Sequence, residues 1–137
     1  MLSPTLLTIR LFLHVLAAAV WVGRQIVLAG LVPAVRRSHP DATRVIARAY
    51  GRVAWPAFAV VVVTGLWNLS EVPVTDTGTA YQVTLLLKIT LAIVSGAAAA
   101  VHQLGRSKLA LALGGAVGLL AALAAMFLGY LLTTGSG

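Results

Sequence analysis

Four side chains in the first apolar stretch, Arg10, His14, Trp21 and Gln25, follow one another at intervals of 4, 7 and 4 residues. That spacing stacks them on one face of a helix, with Ala17 and Ala18 in the gap between. An imidazole in a cavity of small residues, with a cation one turn away, meets the needs of a haem: a nitrogen donor for the iron, apolar walls for the macrocycle and a counter-charge for the propionates. A plainer reading uses the same residues, with His14 hydrogen-bonded to a neighbouring helix and Arg10 extended to the lipid headgroups.

A second polar stripe runs through Thr84, Lys88, Ser95 and His102, spaced by 4, 7 and 7 residues, with Tyr81 a turn further out. Lys88 lies too deep in its apolar stretch to reach the membrane surface. It either faces a ligand carboxylate, exchanges a proton, or is paired structurally. At 1.5 Å per residue, His14 and Lys88 both lie roughly 12 Å from the same end of their helices, Met126 roughly 9 Å and His102 roughly 20 Å deeper. The chemistry is therefore expected around His14, Lys88 and Met126, with Thr64 at the same level. If that chemistry is a haem site, His14 would be its iron ligand, Arg10 and Trp21 would line the cofactor, and Lys88 or Met126 would face the second axial side; the hydrogen-bonded structural reading of His14 stays open beside it. His102 and His39 are expected at the opposite interface, and the tryptophans at positions 21, 55 and 67 serve packing before anything else.

The 137-residue chain is 60% hydrophobic and 9% charged, which rules out an ordinary soluble domain. Its net charge of +7 does not indicate nucleic acid, because uncharged runs this long belong in lipid. With only Asp41, Glu71 and Asp76 as acids and no cysteine, carboxylate-pair catalysis, thiolate metal sites and disulfides have no residues to draw on.

Apolar runs of about 20 residues suffice to cross a bilayer, and four are present, at about 6–32, 44–70, 79–103 and 108–132. The first is expected to end at Pro33, and the second to be capped by Asp41. The first is read as a retained helix and not as a cleaved signal, since no basic segment precedes its apolar core. Arg36, Arg37, Arg44, Arg48 and Arg52 flank the first connection and Arg106 and Lys108 the third, whereas the second carries only Glu71 and Asp76. The excess of basic residues places connections 33–52 and 103–108 in the cytoplasm of a bacterial-type inner membrane and both termini outside. The expected architecture is one all-α domain, 1–137, a polytopic four-helix antiparallel bundle. Gly114 and Gly118 form a GxxxG pattern on helix four, and Gly96 and Ala100 a small surface on helix three. These surfaces, and the room a macrocycle needs, lead us to expect a homodimer with helix four at its seam.

Three segments resemble the HemJ and CopD-like membrane families. His14-Val-Leu-Ala-Ala-Ala-Val-Trp21 is similar to their first helix, where a histidine and a tryptophan seven residues on recur. Ala49-Tyr-Gly-Arg52-Val-Ala-Trp-Pro56, with Gly65-Leu-Trp67 beyond it, is similar to their second helix. Leu86-Leu-Lys88-Ile-Thr-Leu resembles their lysine-bearing third helix. The resemblance implies a membrane protein binding haem b, with His14 as iron ligand and Lys88 needed for function. HemJ proteins are associated with oxidation of protoporphyrinogen IX, which would make Lys88 the candidate catalytic residue of an oxidoreductase. CopD proteins are associated with copper uptake or tolerance, which would make the stripes from His14 to His102 an alternative cation path. Copper prefers soft ligands, and the only sulfur atoms here are those of Met1 and Met126.

Overall fold

The computed structural model describes residues 1–136, which form four long α-helices and one short 3₁₀ turn. All four helices are long and apolar enough to cross a membrane. The chain divides into two compact units, Met1–Val72 and the residues from Pro73 on, each built around a helical hairpin.

In the first unit, α1 (Leu6–Ser38) begins at a reciprocal cap: the Thr8 backbone N–H donates to the Thr5 hydroxyl, and the Thr5 N–H donates to the Thr8 hydroxyl, both at 3.2 Å. The helix does not end at Pro33 but continues through it to Ser38. Proline withholds a single N–H, here the partner of the Ala29 carbonyl, and the next turn recovers with help from side chains. Arg37 Nε donates to the Pro33 carbonyl and Ser38 Oγ to that of Ala34, both at 3.3 Å. Pro40 is what stops the helix. A following proline disfavours the helical region, which Val32 and Trp55 keep before Pro33 and Pro56 but His39 leaves, at φ −142°, ψ 72°.

Helix α2 (Ala42–Ser70) follows a short connection and contains Pro56 within it. Asp41 occupies the position before the helix but does not cap it, because its backbone is already helical and its carboxylate makes no capping bond. Ordered contacts pair Trp21 with Trp55 and Phe58, His14 with Thr64, and Arg10 with Trp67 and Glu71. Ascending numbers on α1 meet descending numbers on α2, so the hairpin is antiparallel.

In the second unit, a 3₁₀ turn (Val74–Asp76) leads into α3 (Thr79–Leu104), onto which Gln82 Nε2 ties the turn by donating to the Val74 and Thr77 carbonyls. Helix α4 (Lys108–Thr134) starts at Ser107, whose hydroxyl accepts from the Ala110 N–H. This hairpin is also antiparallel: the buried Ser95 donates to the Gly118 carbonyl at 2.9 Å, and His102 meets Leu111. Ser95, Gly96 and Ala99 of α3 are buried, as are Gly114, Gly118, Ala121 and Ala122 of α4. A Cβ on Gly114 would fall 2.8 Å from the His102 nitrogen and 2.9 Å from the Ala98 oxygen. Gly114 and Gly118 are thus spent on contact between α3 and α4 within one chain.

Buried residues are few and mostly small, while large apolar side chains face outward, with 62% of Phe12, 65% of Ile93 and 66% of Leu120 exposed. Water does not tolerate such a surface over four helices, and lipid does.

Gly114→Leu is expected to lower thermal stability in detergent by about 3 kcal/mol, because the new side chain meets backbone that cannot move aside. Gly30→Leu, where nothing lies within 4 Å, is expected to leave the melting curve unchanged.

Candidate functional site

The polar face of α1 meets α2 at three levels. At the level nearest the chain start, Arg10 is 8% exposed. Its Nη1 lies 3.7 Å from Glu71 Oε2, its Cζ lies 5.8 Å from the centroid of the Trp67 ring, and its buried Nε has no hydrogen-bond partner among the described residues. The expectation that Arg10 reaches the headgroups as its plainer role is not met, since the guanidinium turns inward between the helices.

One turn on, His14 Nδ1 lies 2.8 Å from Thr64 Oγ1. The roles in this bond follow from proton counting. The Thr64 hydroxyl has one hydrogen, which it donates to the Val60 carbonyl at 2.6 Å, with the Val61 carbonyl at 3.3 Å. It must therefore accept from His14, so the imidazole carries its proton on Nδ1 and its lone pair on Nε2. Gly65 sits beside the ring, with its Cβ position 3.5 Å from Cε1.

At the third level Trp21 is buried against Phe58 and Trp55, with ring centroids 4.5 and 5.5 Å away, and Arg24 Cζ lies 4.9 Å from its centroid. Trp21 is thus part of an aromatic cluster joining the two helices. Gln25 turns back to donate to the Trp21 carbonyl at 3.3 Å.

In the second unit, Lys88 is half-buried and rests against α4 where Gly129 lacks a side chain; a Cβ there would lie 3.2 Å from both Cε and Nζ. Met126 lies one turn before Gly129 and is 39% exposed. His102 Nδ1 donates to the Leu111 carbonyl, and its ring packs where Gly115 leaves room. Thr84 and Thr90 both return their hydroxyls to carbonyls of their own helix.

The structure therefore brings Arg10 and His14 together on one hairpin and leaves Lys88 and Met126 on the other. Sequence reasoning did not find Glu71 and Trp67 as partners of Arg10, or Gly129 as the seat of Lys88. A signal was present: in an antiparallel pair, one known contact such as Trp21 with Trp55 places Arg10 level with the end of α2. Among the described residues no three His, Cys, Asp or Glu side chains gather where they could hold a metal ion.

No family model, curated protein or solved structure matches this chain.

In ¹⁵N-histidine spectra of the protein in micelles, His14 is expected to be protonated at Nδ1. Thr64→Ser is expected to preserve that state, and Thr64→Val to lose it together with about 1 kcal/mol of stability. An Nε2-protonated His14 in the wild type would contradict the assignment.

Proposed function

We propose that this chain is an integral membrane protein that binds haem b at His14 and serves a redox reaction. The observation that carries the reading is the bond from His14 Nδ1 to Thr64, which turns the basic Nε2 into the ligating atom. Histidines that bind metals are characteristically oriented in this way by an acceptor on the other ring nitrogen. The donor set fits a haem better than a bare ion: a macrocycle brings four nitrogens and asks the protein for one or two ligands, whereas an ion needs several side chains.

Arg10 supports the same reading. Its buried charge is offset by Glu71 at 3.7 Å, a longer separation than a hydrogen bond, and its Nε has no hydrogen-bond partner among the described residues. A propionate would supply the missing acceptor one turn from the ligand. When bound, the haem iron supplies one-electron chemistry, suited to electron transfer or to porphyrinogen oxidation. In the latter case Lys88 would hold a substrate carboxylate. The arginines around the turn between α1 and α2 support an orientation with that turn in the cytoplasm of a bacterial-type inner membrane and both chain ends outside. A homodimer completing the pocket belongs to this proposal, with a seam other than Gly114 and Gly118.

Protein made with haem precursors and purified in mild detergent is expected to show a Soret band that shifts on reduction with dithionite. His14→Ala is expected to abolish the band and Thr64→Val to weaken haem retention by about tenfold. A correctly folded but colourless wild type would overturn the proposal.

A further inference from the structure

Arg24 is a charge within an apolar helix, and among the described residues no carboxylate forms an ion pair with it. Its side chain is half-buried, its Nε is buried without a hydrogen-bond partner among the described residues, and the ring it faces belongs to Trp21. Contact between Trp21 and Trp55 sets the level: Arg24 lies three residues beyond the first and Arg52 three residues before the second, so on antiparallel helices the two arginines fall at one height along the hairpin. Among the described residues neither they nor Arg44 and Arg48 form an ion pair.

Beside Arg24 a groove of about 380 Å³ opens between the helices, walled by Gly23 and Val27 of α1 and by Ala49, Val53 and Ala54 of α2. Val27 and Val53 keep 49% and 61% of their surface exposed, so the groove opens on the outside of the chain. Across Ala49 it continues into a second concavity formed by Arg44, Arg48 and Arg52. These three recur every fourth residue, making a basic ladder roughly 12 Å long that climbs from the level of Arg24 toward the turn at 39–41.

An apolar channel joined to guanidinium groups that form no ion pair among the described residues, toward one end of a hairpin long enough to cross a bilayer, matches a molecule with an acidic head and an aliphatic tail. We propose that this face of the hairpin holds an anionic phospholipid, its phosphate on Arg24 and Arg52 and an acyl chain along Val27 and Val53. Basic pockets between membrane helices recognise anionic headgroups through this combination. A free phosphate ion leaves the apolar groove unfilled. A zwitterionic lipid brings its own cation into a row of arginines. The site uses none of His14, Arg10 or Thr64, so the proposal stands apart from haem binding.

Native mass spectrometry of the protein in mild detergent, with phosphatidylglycerol and phosphatidylcholine of identical acyl chains added in equal amounts, tests it. The wild type is expected to retain phosphatidylglycerol about tenfold over phosphatidylcholine. Arg24→Gln and Arg52→Gln are each expected to bring the ratio close to one, and Arg106→Gln to leave it unchanged. Arg52 is exposed, so its variant decides the matter if Arg24→Gln does not fold. Equal retention of the two lipids by the wild type, a preference that survives in Arg52→Gln, or displacement of phosphatidylglycerol by equimolar glycerol phosphate would overturn the proposal.

Discussion

At membrane depth no water is available to satisfy a polar side chain, so each one on these helices must find its partner in protein or lipid, and that demand sets how the helices pair. His14 with Thr64 joins α1 to α2, and Ser95 with Gly118 and His102 with Leu111 join α3 to α4. Each holds its two helices at one relative height, and packing then follows from what lies on either side. In the first hairpin large rings fill the space, Trp21 against Trp55 and Phe58. In the second, glycine and alanine remove the space instead, and the backbones come nearly into contact at Gly114. Both solutions suit lipid, where association depends on close packing and polar contacts more than on the hydrophobic effect.

The Thr64 hydroxyl shows how a structural bond sets a chemical property. Threonine in a helix commonly returns its proton to a carbonyl one turn back, which costs the helix little. Here that habit has a consequence beyond α2: with its only hydrogen engaged by Val60, the oxygen can only accept. A serine could do the same. An isosteric valine would keep the packing and remove the proton order. The imidazole's basic nitrogen is thus selected by a bond that has nothing to do with a ligand.

The apolar spans and the two polar faces were legible in the sequence because helical period and bilayer thickness are both simple rules. Helix ends were less so. Pro33 reads as a stop and Asp41 as a cap, yet a proline costs one hydrogen bond and can be passed, as it is at Pro33 and Pro56, and α1 ends only at the residue before Pro40. The level shared by His14 and Thr64 followed from counting residues, but the partners of Arg10 did not. Glu71 lies in the loop after α2, and a loop residue's position depends on where the helix ends. The GxxxG pair was visible as a close-approach motif; whether it served one chain or two depended on which face of α4 met α3, which spacing alone does not specify.

Glu71 also bears on the charge pattern. A positive residue near the start of α1 runs against a distribution that otherwise concentrates arginine around the opposite end of the hairpin. Arg10 escapes that conflict by turning inward, under the Trp67 ring and near a carboxylate, so that end of the hairpin presents little uncompensated charge to its surroundings. The other end does the reverse. Asp41 is the one acid near Arg36, Arg37, Arg44, Arg48 and Arg52, and it makes no ion pair with them among the described residues. One hairpin therefore carries a compensated cation at one end and uncompensated cations at the other. The compensated one, shielded from water one turn from His14, keeps an Nε donor that has no hydrogen-bond partner among the described residues and that a buried acceptor could engage.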